Sequence, residues 1–285
     1  MAREPRAVRW FPLAHASPPD SLPDEAHVAN RLTCVTSPTA PENRITEKVL
    51  AGISRALVVT AHPDDVDFGA GGTIAVLTDR GVEVTYCICT DGDAGGFDPA
   101  VPRSEIPRIR RAEQRAAGAV LGVHDVRYLG YADGALEVTQ ALRRDISRVI
   151  RQVRPDVVIK QSADINYERI YASHPDHRAA GEAALIAVYP DARNPFAHPV
   201  LLNEEGLDAW SAPMVWVMAH PTRNGWIDTT DTFDRKVAAL HEHVSQTEHM
   251  DDLPGRIRPW GEGMAAEAGF AAGRLAEGFY VINSA

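Results

Sequence analysis

The sequence predicts an α/β fold: a Rossmann-like, mainly parallel sheet with helices on both faces, preceded by an N-terminal arm. Three observations carry that expectation. From Arg55 onward, short apolar runs alternate with helical patterns. Two of those runs, Arg55–Thr60 and Asp156–Lys160, read as buried strands. The runs are followed by polar turns rich in Gly, Asp and His, which is where open α/β sheets place their ligands.

Residues 1–50 read as an extended arm and residues 51–285 as the domain. Up to about Asn43 the chain carries several prolines and no sustained periodicity. A short helix is expected over Glu42–Leu50, leading into the first strand, Arg55–Thr60. The first helix opens near Gly71, and Val82–Thr90 is the second strand. Asp91–Pro99 is a glycine- and aspartate-rich loop beyond that strand's end. Ser104–Leu121 reads as a helix with Ser104 as its cap and Gly122 as its stop. Val126–Leu129 is a short strand, Val138–Val153 an amphipathic helix closed by Pro155, and Asp156–Lys160 a strand. Another helix runs from Asp176 to about Val188. Tyr189–Pro213 is expected as a loop over the ligand-binding edge. Val215–Ala219 then reads as a strand, Asp234–Ser245 as a long helix and Tyr280–Ile282 as an edge strand.

Composition narrows the class. With 285 residues, 45% hydrophobic and 24% charged, the chain is that of a soluble globular protein. A formal net charge of -10 argues against nucleic-acid binding, which rests on Lys and Arg at phosphates. The first residues hold no long apolar core, so no signal peptide is expected, and no apolar run is long enough to span a membrane. The three cysteines, Cys34, Cys87 and Cys89, form no paired framework and point to a reducing cytoplasm. Cys87 and Cys89 share one face of a strand and read as packed core.

Two segments carry the chemistry. Thr60–Thr73 packs His62, Asp64, Asp65 and Asp67 into one strand-to-helix turn. His174-Pro175-Asp176-His177 occupies the same kind of turn beyond the strand at 156–160. Turns of that kind converge on one edge of a parallel sheet, so the two segments are joined into one site. Amide hydrolysis needs an electrophile, an activated water and an acid for the leaving amine. A divalent zinc ion on two histidines and a carboxylate meets the first two needs. His62, Asp65 and His177 would supply those ligands, with Asp64 free to act as a base. His174 and His177 lie at i and i+3, so one can ligand the metal while the other stabilises the oxyanion and protonates the nitrogen. Asp176 is a candidate to hold His174 and raise its pKa. A His-Pro-Asp segment alone often does no more than cap a helix; two at matching positions favour the site.

Ala61–Thr73 together with His174–His177 resembles the N-acetylglucosaminylphosphatidylinositol deacetylase family, also called PIG-L or LmbE-like. That resemblance implies a zinc-dependent deacetylase of N-acetylglucosamine derivatives on the LmbE-like fold. It implies His62, Asp65 and His177 as zinc ligands, Asp64 as general base, and His174 as acid or oxyanion partner. Arg110–Glu113 with Ala117, Leu121 and Gly122 is similar to the family's helix after its glycine loop, and Lys236, Leu240, His243, Ser245 and Gln246 to a late signature. Asp67 stands where glutamate is common. Ala172 stands where the mycothiol-type enzymes have a tyrosine, with Tyr171 one place further away.

The expected function is therefore removal of acetyl from an N-acetylated amino-sugar conjugate by metal-activated water. Zn2+ is the expected cofactor, and Fe2+ suits the same ligands. Asp91, Asp93, Arg103 and His243 are candidate substrate-binding residues, and Trp210, Trp226 or Trp260 could stack on a sugar face. The expected partner is a small amino-sugar substrate, with a homo-oligomer left open. Alternatives are an amidase of a sugar-thiol conjugate and a non-catalytic nucleotide-binding module. Against the latter, Gly69–Gly72 lacks the G-x-G-x-x-G spacing, and carboxylates line the turn.

Overall fold

In the computed structural model the chain is described from residue 42 to residue 285. The expected arm lies outside the described residues up to residue 41, as does Cys34. The elements are α1 (Glu47–Ala51), β1 (Arg55–Thr60), α2 (Asp65–Asp79), β2 (Glu83–Thr90), α3 (Ile106–Val120), β3 (Asp125–Tyr131), α4 (Gln140–Val153) and β4 (Val157–Gln161). They continue with α5 (Pro175–Ile186), α6 (Pro199–Asn203), β5 (Met214–Met218), β6 (Gly225–Asp228), α7 (Phe233–His241), α8 (Val244–Thr247), α9 (Leu253–Glu267) and β7 (Ala276–Asn283).

The strands form one seven-stranded sheet in the order β3-β2-β1-β4-β5-β7-β6. β1 to β5 pair in parallel, and β7 runs antiparallel between β5 and β6. Alternation along β1 builds both layers. Ala56 and Val58 face a core shared with α2, α3 and α7, while Leu57 and Val59 face one shared with α4 and α5. Cys87 and Cys89 are free and buried in the second core. Because β2 lies on one side of β1 and β4 on the other, the chain reverses its winding at β1. The crevice between the carboxyl ends of β1 and β4 is thus the switch point of the sheet. No described helix is long and apolar enough to cross a membrane.

Several expectations are corrected. The 280–282 strand is longer and is not an edge: β7 is inserted between β5 and β6, and β6, unread in the sequence, is the edge. The expected helix 234–245 breaks after His241, and α9 was not read, because its apolar positions follow no clean helical period. Folded chain begins before residue 51, since Ile45 and Leu50 are buried in the first core. The segment from 189 to 213 does not cover the ligand edge. Arg151, wholly buried in the last turn of α4, donates to the carbonyls of Asp191, Ala192, Asn194 and Ala197. Trp210 donates to Pro155 O, just before β4, and stacks with Arg55 at the start of β1. This segment is therefore held at the amino-terminal edge.

α5 touches β4 through a glycine. A Cβ on Gly181 would lie 2.4 Å from the backbone oxygen of Gln161, an atom that cannot move without shifting β4. Gly181→Ala is expected to cost about 1–3 kcal/mol through overpacking, read as a lower midpoint in urea denaturation. An unchanged midpoint would contradict this packing.

Candidate active site

The site starts from an unusual backbone. Asp64, at the mouth of α2, has φ 85 and ψ -27, the left-handed region, which costs a residue with a Cβ about 1–2 kcal/mol. Two groups on α3 hold it there. Gln114 accepts from the Asp64 N–H at 2.7 Å. Arg110, only 4% exposed, donates to Asp64 Oδ2 at 2.9 Å, to Pro63 O at 2.7 Å and to Gly92 O at 3.2 Å. The guanidinium lies so close to Gly92, which has a φ of +63, that a Cβ there would fall 2.3 Å from its nitrogen, so a side chain at this position would be strained and would displace the guanidinium. Burial raises the Asp64 pKa, and although Arg110 opposes this the carboxyl settles at about 6.

His62 lies in the same turn, at the carboxyl end of β1. Its Nε2 is 3.0 Å from Asp133 Oδ1 and 3.2 Å from Asp176 Oδ2, so it carries the proton between two acceptors. Its Nδ1 faces Asp65 Oδ2 at 3.5 Å. Burial disfavours charge on this ring, but Asp133, Asp176 and Asp65 outweigh it and push the pKa up to about 12. From α5, His177 Nε2 meets Asp65 Oδ1 at 3.0 Å, while its Nδ1 faces the Ala172 carbonyl at 3.4 Å. Both partners only accept, so in the absence of a metal both nitrogens carry protons: burial disfavours charge on this ring, but Asp65 outweighs it and raises the pKa. Burial opposes charge on Asp65 as well, yet His177 and His62 hold its carboxyl well below the usual range.

One carboxylate thus lies between two imidazole nitrogens, each oriented by an acceptor at its far nitrogen. At Zn–N and Zn–O distances near 2.0–2.2 Å, tetrahedral ligand atoms stand roughly 3.3 Å apart. The separations of 3.5 and 3.0 Å bracket that value. The two contacts use different oxygens of Asp65, so His62, Asp65 and His177 offer the donor types a divalent cation takes without bringing one atom each to a common point. Ring nitrogens of His62, His174 and His177 lie within 4.8 Å of one another, as do ligand atoms of His62, Asp133 and Asp176.

His174 caps α5: its Nδ1 accepts from the Asp176 N–H at 3.2 Å. In the neutral ring the proton is then on Nε2. Two expectations change here. The Asp176 carboxylate holds His62 and accepts from the N–H groups of Gly134 and Leu136, and the pKa of His174 is lowered, by burial and by the neighbouring His62 and His177. The α5 helix start turns the Asp176 carboxylate back toward β3, away from the preceding ring.

Asp133 was missed. It follows β3 directly, where the strand-end rule that located His62 would have found it. Its backbone N–H is held by Asp93 Oδ1 at 2.9 Å. Of the candidate substrate residues, Asp93 pairs with Arg103 at 2.7 Å on the Asp133 side, and Asp91 is engaged by Arg111 at 2.6 Å. His243 cannot meet substrate. It is fully enclosed, with Nε2 2.8 Å from the equally enclosed Asp67, which also accepts from Gln114 at 2.7 Å. Glu113 accepts from Ser245 N and Oγ at 2.7 Å, so the two helical signatures brace the turn from behind. Of the tryptophans, Trp226 is buried, Trp210 lies at the far edge, and Trp260 lines a cavity beside Asp65 and His177.

Residues 57–188 match the family described as GlcNAc-PI de-N-acetylase, PIG-L. The chain is 34% identical over 194 residues to a diacetylchitobiose deacetylase of Thermococcus kodakarensis, covering 68% of this chain and 70% of that one. It is 35% identical over 210 residues to a probable N-acetyl-alpha-D-glucosaminyl L-malate deacetylase 2 of Bacillus cereus, covering 71% and 88%. An N,N'-diacetylchitobiose deacetylase structure from Pyrococcus horikoshii superposes with a TM-score of 0.76 at 30% identity, covering 84% of this chain and 87% of that one.

Arg110→Met removes the donors to the Asp64 carboxylate and the Pro63 carbonyl and one of the two to the Gly92 carbonyl, which keeps the Gly95 N–H. It is expected to lower stability by about 2–3 kcal/mol in urea denaturation. Arg110→Lys, a point charge without the planar fork, should recover only part of that loss. A fully stable Arg110→Met protein would contradict the bracing described.

Proposed function

The chain belongs to the PIG-L family of de-N-acetylases, and on that premise we propose that it is a zinc-dependent hydrolase removing acetyl from an N-acetylglucosamine-type conjugate. The observation that carries this reading is the Asp65 carboxylate between His62 Nδ1 and His177 Nε2, with Asp64 beside it at a pKa of about 6. His62, Asp65 and His177 would hold the ion. Bound there, zinc would supply a Lewis acid for the amide carbonyl and bring the pKa of a coordinated water toward about 7. Fe2+ fits the same donors.

The protein's own groups divide the proton work. Asp64, with one oxygen fixed by Arg110, takes a proton from the attacking water through the other. Burial pushes this carboxyl above the usual carboxylate range and so makes it a stronger base, while Arg110 favours its ionised form. His174, neutral with Nδ1 committed to the Asp176 N–H, presents Nε2–H to the developing oxyanion, and the proton that Asp64 took from water passes to the departing nitrogen. Asp133 and Asp176 keep His62 oriented and ionise below the usual carboxylate range, since His62 outweighs their burial. The amino sugar is proposed to enter on the Asp93, Arg103 and Asp133 side, where polar side chains gather. The free thiols of Cys87 and Cys89 fit a reducing, cytoplasmic setting.

A nucleotide-binding role is disfavoured. Gly69, Gly71 and Gly72 lie inside α2, where added Cβ atoms would crowd Met218, Lys236 and Thr229. They serve helix packing and form no phosphate loop.

Asp64→Asn is expected to keep the metal and lose about 10²–10⁴-fold in kcat, whereas His62→Ala should lose both. Metal analysis alongside acetate release from N-acetylglucosamine conjugates checks each. Near-normal turnover by Asp64→Asn would rule out Asp64 as the base. Dialysis against a chelator should abolish release and added zinc restore it.

A further inference from the structure

A cavity of about 300 Å³ opens directly off the proposed ligands. Asp65 and His177 form one end, and its walls include Phe68, Met218, Met250 and Trp260. Arg169 closes the rim: its guanidinium carbon lies 5.3 Å from the Tyr171 ring and 5.0 Å from the Trp260 ring, and its Nε donates to Tyr171 OH at 2.8 Å. The two rings stack at 6.3 Å with an interplanar angle of 24°.

The walls are mostly hydrocarbon, and the polar groups at the rim, Arg169 and Tyr171 OH, are hydrogen-bonded to each other. A pyranose needs donors and acceptors for each hydroxyl, whereas the lining Gln161 already accepts from the Ala61 N–H. The polar groups fit for a sugar lie off the other nitrogen of His62, at Asp133 and beyond it Asp93 and Arg103. An amide held between the two sides would lay its sugar toward Asp133 and its acyl group toward Met218. An acetyl methyl fills roughly the 30 Å³ of one water, and an apolar cavity of roughly 150 Å³ is enough for benzene. The space here is far larger than acetyl requires, and the flexible thioethers of Met218 and Met250 can follow chains of different length.

We propose that this cavity is an acyl-chain pocket, and that the enzyme cleaves N-acyl amino sugars with straight chains of roughly four to eight carbons in preference to the N-acetyl form. The proposal rests on the hydrolase reading above and extends it to the acyl group. The chemistry is unchanged. Water adds to the carbonyl carbon, the C–N bond breaks, the nitrogen leaves as the amine with the proton from water, and the acyl group leaves as its carboxylate. No oxidant or further co-reactant is required.

The test uses the zinc-loaded full chain and N-acetyl-, N-butanoyl-, N-hexanoyl- and N-octanoyl-glucosamine, with amine release as the signal. kcat/KM should rise about fourfold per added methylene up to hexanoyl, and octanoate should inhibit at far lower concentration than acetate. Met250→Trp, which fills the cavity, should lower the octanoyl-to-acetyl ratio of kcat/KM by about tenfold or more. Ala172→Phe fills the same space should Met250→Trp not fold. Release from the acetyl substrate that falls with each added carbon would overturn the pocket and leave the deacetylase reading standing. An octanoyl-to-acetyl ratio unmoved by both fillings would also overturn the pocket. No amine from any chain length by zinc-loaded protein would overturn the hydrolase reading and the pocket with it.

Discussion

The site depends on a turn that the chain would not adopt unaided. Asp64 sits in the left-handed region, and Arg110 and Gln114 reach across from α3 to fix its carboxylate and its N–H. With Asp64 turned this way, Asp65 opens α2 and points at His62 and His177. Two adjacent aspartates therefore face different partners, one a guanidinium and one a pair of imidazoles. The backbone cost is offset by charged hydrogen bonds in a buried setting, where such bonds are strongest.

The sheet supplies the rest through its topology. β1 is where the winding reverses, so the turn after β1 lies beside the segment that follows β4, and His62 meets His174 and His177 across the crevice. The ends of β2 and β3 add Asp93 and Asp133 on one side, and the end of β5 adds Met218 on the other. One edge of a parallel sheet thus carries a carboxylate-rich half and a hydrocarbon half, with His62, Asp65 and His177 between them.

Much of this was legible in the sequence, for a definite reason. Residues placed by local geometry, such as His62, Asp65, His174 and His177, announce themselves by spacing at a strand end. Residues whose roles depend on distant partners do not. Asp176 was assigned to His174, its neighbour in sequence, but its carboxylate reaches His62, 114 residues away. His243 has the residue type of a binding group, yet packing encloses it against Asp67. The segment from 189 to 213 looked like an active-site loop until Arg151 was seen to gather its carbonyls at the opposite edge. The antiparallel insertion of β7 leaves no mark in hydrophobic pattern, because strand order is set by the whole sheet. Only the existence of a strand is local.

The proposed function has one divalent ion held by His62 Nδ1, Asp65 and His177 Nε2, leaving Asp64 free of it. Anomalous diffraction at the zinc edge from crystals of the zinc-loaded protein tests this directly. The account predicts a single strong peak about 2.0–2.2 Å from those three ligand atoms. A peak instead on the Nε2 side of His62, bound by Asp133 and Asp176, or a peak ligated by Asp64, would contradict it.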